Sequence, residues 1–251
     1  MAERGCLRYR SAMAVSILTD RIAFPRPDEA DEDGVVAIGG DLRPERVLLA
    51  YAIGVFPWPH EGLPLLWFSP DPRMVLLPSD LHVSRRLERT IRAGQFEVRL
   101  DTAFREVMER CASAERTGPA GEGTWITSAM IDSYTVVHEM GFAHSAEAWQ
   151  GGQLVGGVYG VSIGAMFTGE SMFAEQSNAS KVAFAVLVRQ LARWGFQLVD
   201  AETYSEHLAR FGAREWPRHE FLASLETAVR EPTRLGPWQL DFDLAEGGGE
   251  P

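Results

Sequence analysis

Apolar residues recur about every 3.6 residues in six segments, the period of an amphipathic helix. The segment that begins at Pro44 has Val47, Leu48 and Tyr51 on one face and Gly54 where a C-cap glycine belongs. The pattern predicts helices at Pro44–Gly54, Leu81–Arg92, Thr102–Ala112, Thr127–Met140, Ala179–Gly195 and His219–Ala228.

Shorter apolar and alternating runs predict strands between these helices. They lie at Phe96–Asp101, His144–Trp149, Leu154–Gly160, Ala165–Phe173 and Phe196–Asp200. The turns Gly151–Gly152 and Ser162–Gly164 are short, as antiparallel hairpins require. Hairpins followed by a helix and one more strand predict the α+β class.

The strand at Ala165–Phe173 contains a single acidic residue, Glu170. A carboxylate in so apolar a run is costly to bury unless it is paired or used in chemistry. Lys181, at the start of the next helix, is the only lysine beside 23 arginines, and the two cations are not interchangeable. A structural ion pair would also explain this pattern.

Composition narrows the class of protein. The 251 residues are 45% hydrophobic and 24% charged, which is ordinary for a globular protein. No run reaches the roughly 18 apolar residues of a membrane span. Cys6 and Cys111 lie far apart, and no HExxH motif occurs, so neither a disulfide framework nor a metal site is expected. A reducing cytoplasm fits best.

The formal net charge of −11 argues against indiscriminate nucleic-acid binding. One basic stripe is nevertheless present. Arg85, Arg89 and Arg92 lie opposite the apolar face of the predicted helix at Leu81–Arg92. Taken alone, such a stripe is more often a solvated helix face than a binding surface.

One motif is misleading. Gly160 to Gly164 reads GVSIG and matches the GxSxG nucleophile elbow. That elbow needs a strand before it and a helix after it. Here it joins two predicted strands, so Ser162 is interpreted as part of a hairpin.

Several rare combinations of Trp, Pro and Gly occur in a fixed order. They are GGDL at Gly39–Leu42, GVFPW at Gly54–Trp58, WFSPDPR at Trp67–Arg73, GTWI at Gly123–Ile126, LVGGVYGV at Leu154–Val161 and GAMFTGESMFAEQSNASK at Gly164–Lys181. Together they resemble the leucyl/phenylalanyl-tRNA–protein transferases, from about Ile22 to Glu220.

The resemblance implies a fold that the pattern alone does not give. It implies a small N-terminal α+β domain over residues 17–75, followed by an acetyltransferase-like (GNAT-type) domain over 76–235. Residues 1–16 and 236–251 are expected to be disordered tails.

The resemblance also implies the reaction and the partners. Leu or Phe, with Met a further candidate, would move from tRNA to proteins with N-terminal Arg or Lys, marking them for N-end-rule degradation. Attack of an α-amine on an ester is downhill, so no cofactor, ATP or metal is expected. The enzyme is expected to be a cytoplasmic monomer without membrane contact.

Site residues follow from the same resemblance. Glu170 would fix the aminoacyl end of the donor, and Asp200 would polarise the base beside it. Trp58 and Trp125 would stack the terminal adenosine, with Tyr51 and Tyr134 lining that region. Arg85, Arg89 and Arg92 would face the acceptor stem. The aminoacyl pocket would consist of Val158, Phe167, Met172, Phe184 and Val199, although plain core explains their pattern equally well.

The chain departs from the family at Glu202, where Gln is usual. In a strand, residues 200 and 202 face the same side. Asp200 and Glu202 are therefore expected to be neighbouring carboxylates that share a proton, which leaves the identity of the base open.

Three alternatives stay open. A related aminoacyl-tRNA–protein transferase would have a changed donor or acceptor. A non-catalytic module would bind tRNA or N-termini without transfer. An acyl-CoA transferase on the same fold is disfavoured by the aromatic and arginine features.

Overall fold

The computed structural model describes residues 15–60, 62–114, 117–118, 121–122 and 124–242. The helices are α1 Pro44–Ala52, α2 Arg85–Arg92, α3 Phe104–Ser113, α4 Ser128–Glu139, α5 Ala179–Arg193, α6 Glu206–Ala209 and α7 Arg218–Ala228. The strands are β1 Ser16–Leu18, β2 Val35–Gly39, β3 Phe56–Pro57, β4 Leu66–Phe68, β5 Arg73–Leu76, β6 Glu97–Leu100, β7 Thr117–Gly118, β8 Gly121–Glu122, β9 Ala143–Gln150, β10 Gln153–Ile163, β11 Met166–Ala174, β12 Leu198–Asp200 and β13 Arg214–Trp216. The predicted α+β class is confirmed.

The helix ends have local causes. Ser84 and Thr127 cap α2 and α4 by accepting hydrogen bonds from backbone N–H groups three residues on. Gly54, Gly141 and Gly195 follow α1, α4 and α5 with positive φ angles, where a side chain would be strained. All six helices predicted from the sequence are present, as α1 to α5 and α7.

Two main sheets organise the chain. The N-terminal sheet has the order β1-β2-β4-β3, and the large sheet has the order β13-β5-β12-β11-β10-β9-β6. The hairpins β9–β10 and β10–β11 are antiparallel, as predicted, whereas β11 and β12 are parallel. Ser162 lies within β10 and is buried, so the GxSxG motif is part of a hairpin and not an elbow.

The parallel pair separates partway along its length. β12 pairs with β11 only at Met166, Phe167 and Thr168, whereas β11 continues to Ala174. Beside this point β10 has a bulge at Tyr159/Gly160. A Cβ on Gly160 would lie 2.0 Å from the carbonyl oxygen of Thr168, so the close approach of the two strands requires glycine there. The gap between β11 and β12 opens next to Glu170.

Helices cover both faces of the large sheet. α5 packs its apolar face on one side with α2. α1, α3, α4 and the N-terminal sheet share a second buried cluster on the other side. Within the described ranges, no helix is long and apolar enough to cross a membrane.

The segment after α7 differs from the expectation for residues 236–251. The indole of Trp238 is buried and stacks on His144 with ring centroids 3.5 Å apart. Asp241 accepts hydrogen bonds from Gln190 and Trp194 of the α5 segment. The predicted disorder is therefore wrong for residues 236–242, because the buried Trp238 ring and the hydrogen bonds of Asp241 hold them. Residues 243–251 lie outside the described residues, as do 1–14.

Candidate active site

A pocket of about 440 Å³ opens where β11 and β12 separate. Its walls come from β3, β10, β11, α5, and the segment that follows β12. The lining residues are Phe56, Pro57, Trp58, Trp125, Val158, Gly169, Glu170, Ser171, Met172, Ser180, Phe184, Val199, Asp200, Ala201, Glu202, Thr203, Ser205, His207 and Leu208. The pocket thus combines an apolar wall with a cluster of carboxyl groups.

Glu170 is held from behind by two buried tyrosines. The Tyr51 hydroxyl of α1 donates to Glu170 Oε1 at 2.5 Å, and the hydroxyls of Tyr51 and Tyr134 lie 2.5 Å apart. A phenol has one proton to donate, so Tyr134 of α4 donates to Tyr51. Burial, and then the charge of Glu170, holds the pKa of both tyrosines well above their usual value. The relay fixes the Glu170 side chain.

Glu202 forms a pair with Glu170 rather than with Asp200. β12 ends at Asp200, and Glu202 has a φ angle of 60°, so the expected strand geometry is wrong. Burial, and next the charge of Glu170, raises the pKa of Glu202 well above its usual range. Burial raises the pKa of Glu170 to about 7, and hydrogen bonds from Tyr51 and Glu202 oppose the rise. Glu202 therefore stays protonated and donates a hydrogen bond to the Glu170 carboxylate.

Asp200 forms an ion pair with Arg73, a residue that the sequence did not indicate as part of the site. Arg73 Nε and one terminal nitrogen donate to the two Asp200 oxygens at 2.8 and 2.6 Å, and both side chains are buried. Asp200 Oδ1 also accepts the backbone N–H of Glu202 at 2.9 Å. Asp200 consequently does not share a proton with Glu202. It holds the turn that carries Glu202.

The charges of this cluster can be counted. Arg73 neutralises Asp200, and Glu202 stays protonated beside Glu170. Glu170, whose pKa is about 7, adds one negative charge to the pocket when it is ionised. Within the described parts of the chain, no three His, Cys, Asp or Glu side chains are placed to hold a metal ion.

Four of the five predicted aminoacyl-pocket residues line the pocket: Val158, Met172, Phe184 and Val199. Phe167 does not. Its side chain is fully buried, its ring approaches Gly160, and it lies 6.1 Å from the ring of Trp238. The prediction for Phe167 is wrong because this ring fills the space above Gly160 inside the core.

The two predicted tryptophans lie together on the pocket wall. The rings of Trp58 and Trp125 are 6.2 Å apart and inclined at 69°. Trp58 also contacts His60 and Phe68 at 5.7 and 5.5 Å. Tyr51 and Tyr134 lie behind Glu170 and not on the wall that the tryptophans form.

The predicted basic stripe lies on α2, away from the pocket lining. Leu87 and Ile91 are buried, whereas Arg85, Arg89 and Arg92 are exposed. Arg92 is engaged by Glu88, which also binds Arg189 of α5. The structure therefore brings the carboxylates, tryptophans and apolar wall together, but not the arginine stripe.

Sequence reasoning missed the part of the pocket that follows β12. Residues 201–208 contribute five further polar or apolar wall residues, including His207 of α6. α6 has only four residues, so no helical period was available to reveal it. Lys181 has no ion pair within the described residues, and Glu170 has other partners. The ion-pair explanation for Lys181 is therefore wrong.

Comparison with known proteins identifies the family. The family model for the leucyl/phenylalanyl-tRNA protein transferase matches residues 75–226, and the model of its N-terminal domain matches 40–71. Relatives named leucyl/phenylalanyl-tRNA–protein transferase are similar over nearly their whole length. The Myxococcus xanthus relative is 56% identical, covering 90% of this chain and 97% of its own. An Anaeromyxobacter relative is 56% identical, covering 91% and 97%, and one from Nitratidesulfovibrio vulgaris is 55% identical, covering 90% and 95%.

Among solved structures, one described as the structure of L-PGS from Bacillus licheniformis is 10% identical with a TM-score of 0.36. It covers 66% of this chain and 55% of that one, a likeness too weak to establish a common fold. The sequence relatives carry the assignment. On that similarity, this chain belongs to the leucyl/phenylalanyl-tRNA–protein transferase family.

Proposed function

We propose that this chain is an aminoacyltransferase that moves Leu or Phe from tRNA to the α-amine of proteins. The observation that carries the proposal is the position of the Glu170 carboxyl group beside an apolar wall of Val158, Met172 and Phe184. An aminoacyl ester presents an ammonium group and an apolar side chain on one carbon. The pocket offers a complementary group to each.

Glu170 binds the donor's α-ammonium group in this proposal. Tyr51 and protonated Glu202 hold its carboxylate in one orientation, which reduces the entropy lost when the ester is positioned. Asp200 acts through Glu202, by fixing the backbone that carries it.

Trp58 and Trp125 take the terminal adenosine of the tRNA. Aromatic faces accept a base by stacking without strong sequence preference. Their rings are inclined at 69°, so one ring stacks on the base and the other closes its edge. Exposed Arg85 and Arg89 of α2, with Arg92, contact phosphates further along the acceptor stem.

The acceptors are proteins with N-terminal Arg or Lys, whose positive charge suits an acidic protein. The product would be marked for N-end-rule degradation. The chain works as a monomer in the cytoplasm, where charged tRNA is found. Met is a further donor. The exergonic exchange of an ester for an amide needs neither ATP nor a metal.

The fold belongs to the same proposal. A small domain over residues 17–75 precedes a GNAT-type domain over 76–235. In support, the N-terminal strands form a separate sheet, and the large sheet has one parallel pair that separates at the pocket.

A transfer assay tests the function. Purified protein, without ATP or added metal, is expected to move labelled Leu or Phe from tRNA onto a peptide that begins with Arg. Val and Ile should be poor donors, because branching at Cβ crowds a pocket shaped for an unbranched Cβ. Binding of tRNA without transfer would favour a non-catalytic module, and use of acyl-CoA would favour the third alternative.

A further inference from the structure

The pocket contains two buried polar atoms that no neighbouring group satisfies. Glu202 Oε1 and His207 Nε2 have no hydrogen-bond partner among the described residues, and both residues line the same pocket. A buried polar atom without a partner carries a desolvation penalty. Atoms of this kind inside a cavity are suited to binding a polar group of a ligand.

The proposed reaction handles two amino groups in opposite ways. The donor's α-ammonium remains charged and is bound, whereas the acceptor's α-ammonium must lose a proton before its nitrogen can attack. Glu170 binds the donor's ammonium group. Deprotonation of the acceptor's ammonium group requires a side chain that is unprotonated at neutral pH and reaches the pocket.

The carboxyl groups of the pocket do not meet this requirement. Both oxygens of Asp200 are bound by Arg73. Glu202 already holds its proton, because burial and the charge of Glu170 raise its pKa well above the usual range. The phenols of Tyr51 and Tyr134 are likewise protonated.

We propose that His207 accepts the proton of the acceptor's α-ammonium group and is thus a further catalytic residue. The inference rests on the proposed function. One ammonium proton passes to His207 Nε2, and the resulting amine forms a bond to the ester carbonyl carbon. The C–O bond to the ribose then breaks, and the ribose oxygen takes a second proton from the same nitrogen. Imidazolium returns its proton to water, so one proton is released overall.

The surroundings of His207 keep the ring neutral. Burial, and then the positive charges of Lys181 on α5 and of Arg210, lower the pKa of His207. Arg210 is itself paired with Glu206, and the Phe211 ring lies 5.4 Å away. Glu202 on the same pocket wall is protonated. Lys181 therefore acquires a role: its charge disfavours imidazolium and leaves Nε2 free to accept a proton.

The test combines kinetics with a direct titration. His207→Gln keeps a polar side chain but cannot take up a proton, so kcat for transfer should fall roughly 10²- to 10⁴-fold. His219→Gln is the matched control, because His219 is an exposed histidine on α7; its transfer rate should equal that of the wild type. A His207→Gln enzyme within about threefold of the wild type overturns the proposal.

Lys181→Met supplies a second measurement that does not depend on the folding of the His207 variant. NMR titration of the histidine ring protons should show the pKa of His207 rising when Lys181 is replaced. The acidic side of the kcat/KM profile should have two steps: one from Glu170 near its pKa of about 7, and a steeper one from His207 at lower pH. The step at lower pH should move to higher pH as the pKa of His207 rises. A shifted His207 pKa with an unmoved lower step overturns the proposal. A wild type that transfers neither Leu nor Phe instead overturns the proposed function itself.

Discussion

Arg73 and Asp200 form a buried, two-point ion pair that joins strands β5 and β12 beside the pocket. The Arg73 guanidinium also lies 4.8 Å from the ring centroid of Phe56 and 4.7 Å from that of Phe221. It donates a further hydrogen bond to the carbonyl of Gly54. One side chain thus connects the N-terminal segment, the large sheet and α7 with the turn that carries Glu202.

Removal of this arginine should destabilise the protein strongly. Arg73→Met leaves Asp200 charged and buried, and the free energy of unfolding should fall by about 3–5 kcal/mol. The double variant Arg73→Met with Asp200→Asn should lose less stability than the two single variants lose together, because it leaves no buried charge unpaired. Urea denaturation measures both. Arg26→Met is the control, since its pair with Asp28 is exposed and is worth no more than about 1 kcal/mol. Equal losses for Arg73→Met and Arg26→Met would contradict the prediction.

Glu202→Gln should change the pH dependence of transfer on the alkaline side. In the wild type, Glu202 loses its proton only well above its usual pKa, and then Glu170 loses a donor and gains a repelling charge. A Gln amide keeps the donor at every pH. Near pH 7 the two enzymes should have similar kcat/KM values, whereas above it only the wild type should lose activity. The acidic limb that Glu170 causes near its pKa of about 7 should remain in both.

A pH–rate profile of both enzymes on an Arg-initiated peptide checks this. Glu202→Ala is the control, because it removes the donor and should be slow throughout. Superimposable profiles for wild type and Glu202→Gln would mean that the proton on Glu202 plays no part. A slow wild type beside a brisk Glu202→Gln would favour the non-catalytic module.

Periodic patterns predicted the helices, the hairpins and the apolar face of α5, because each of these depends on neighbours a few residues apart. The pairing of Arg73 with Asp200 spans 127 positions, and no local pattern carries it. The positive φ angle of Glu202 ended the strand early and turned the expected Asp200–Glu202 pair into a Glu170–Glu202 pair. Trp238 was missed for a similar reason, since its partner His144 lies in β9, far away in sequence. The family resemblance supplied the site residues that the patterns did not distinguish from core.

A second buried glutamate, Glu147 on β9, should make stability depend on pH. Its carboxylate accepts hydrogen bonds from Ser145 and Thr102, but burial raises its pKa from 4.5 to about 7. Between these values the folded state binds more protons than the unfolded state, so stability falls as pH rises. Glu147→Gln removes this loss. Relative to the wild type, the variant should gain about 2–3 kcal/mol between pH 4.5 and pH 8.

Urea denaturation at several pH values measures the difference. Glu139→Gln is the control, because Glu139 is exposed at the end of α4, and its stability should follow that of the wild type. The transfer rate of Glu147→Gln should be unchanged, since Glu147 does not line the pocket. A constant stability difference between Glu147→Gln and wild type across the pH range would contradict the assignment of the raised pKa.

The arginines of α2 should contribute to the binding of whole tRNA but not to chemistry. Arg85 and Arg89 are exposed and have no ion pair within the described ranges, whereas Arg92 is paired with Glu88. Replacing Arg85 and Arg89 by Gln should weaken binding of charged tRNA and reduce the slope of log K against log salt by roughly 0.7–0.9 per lost phosphate contact. Arg92→Gln should have a smaller effect.

The control is exposed Arg105, which is paired with Glu109 and Asp132 on another face. Transfer from a short aminoacyl-adenosine analogue should be unchanged, because the analogue ends before α2. Equal loss with both substrates would mean that these arginines support the fold and that the acceptor stem lies elsewhere.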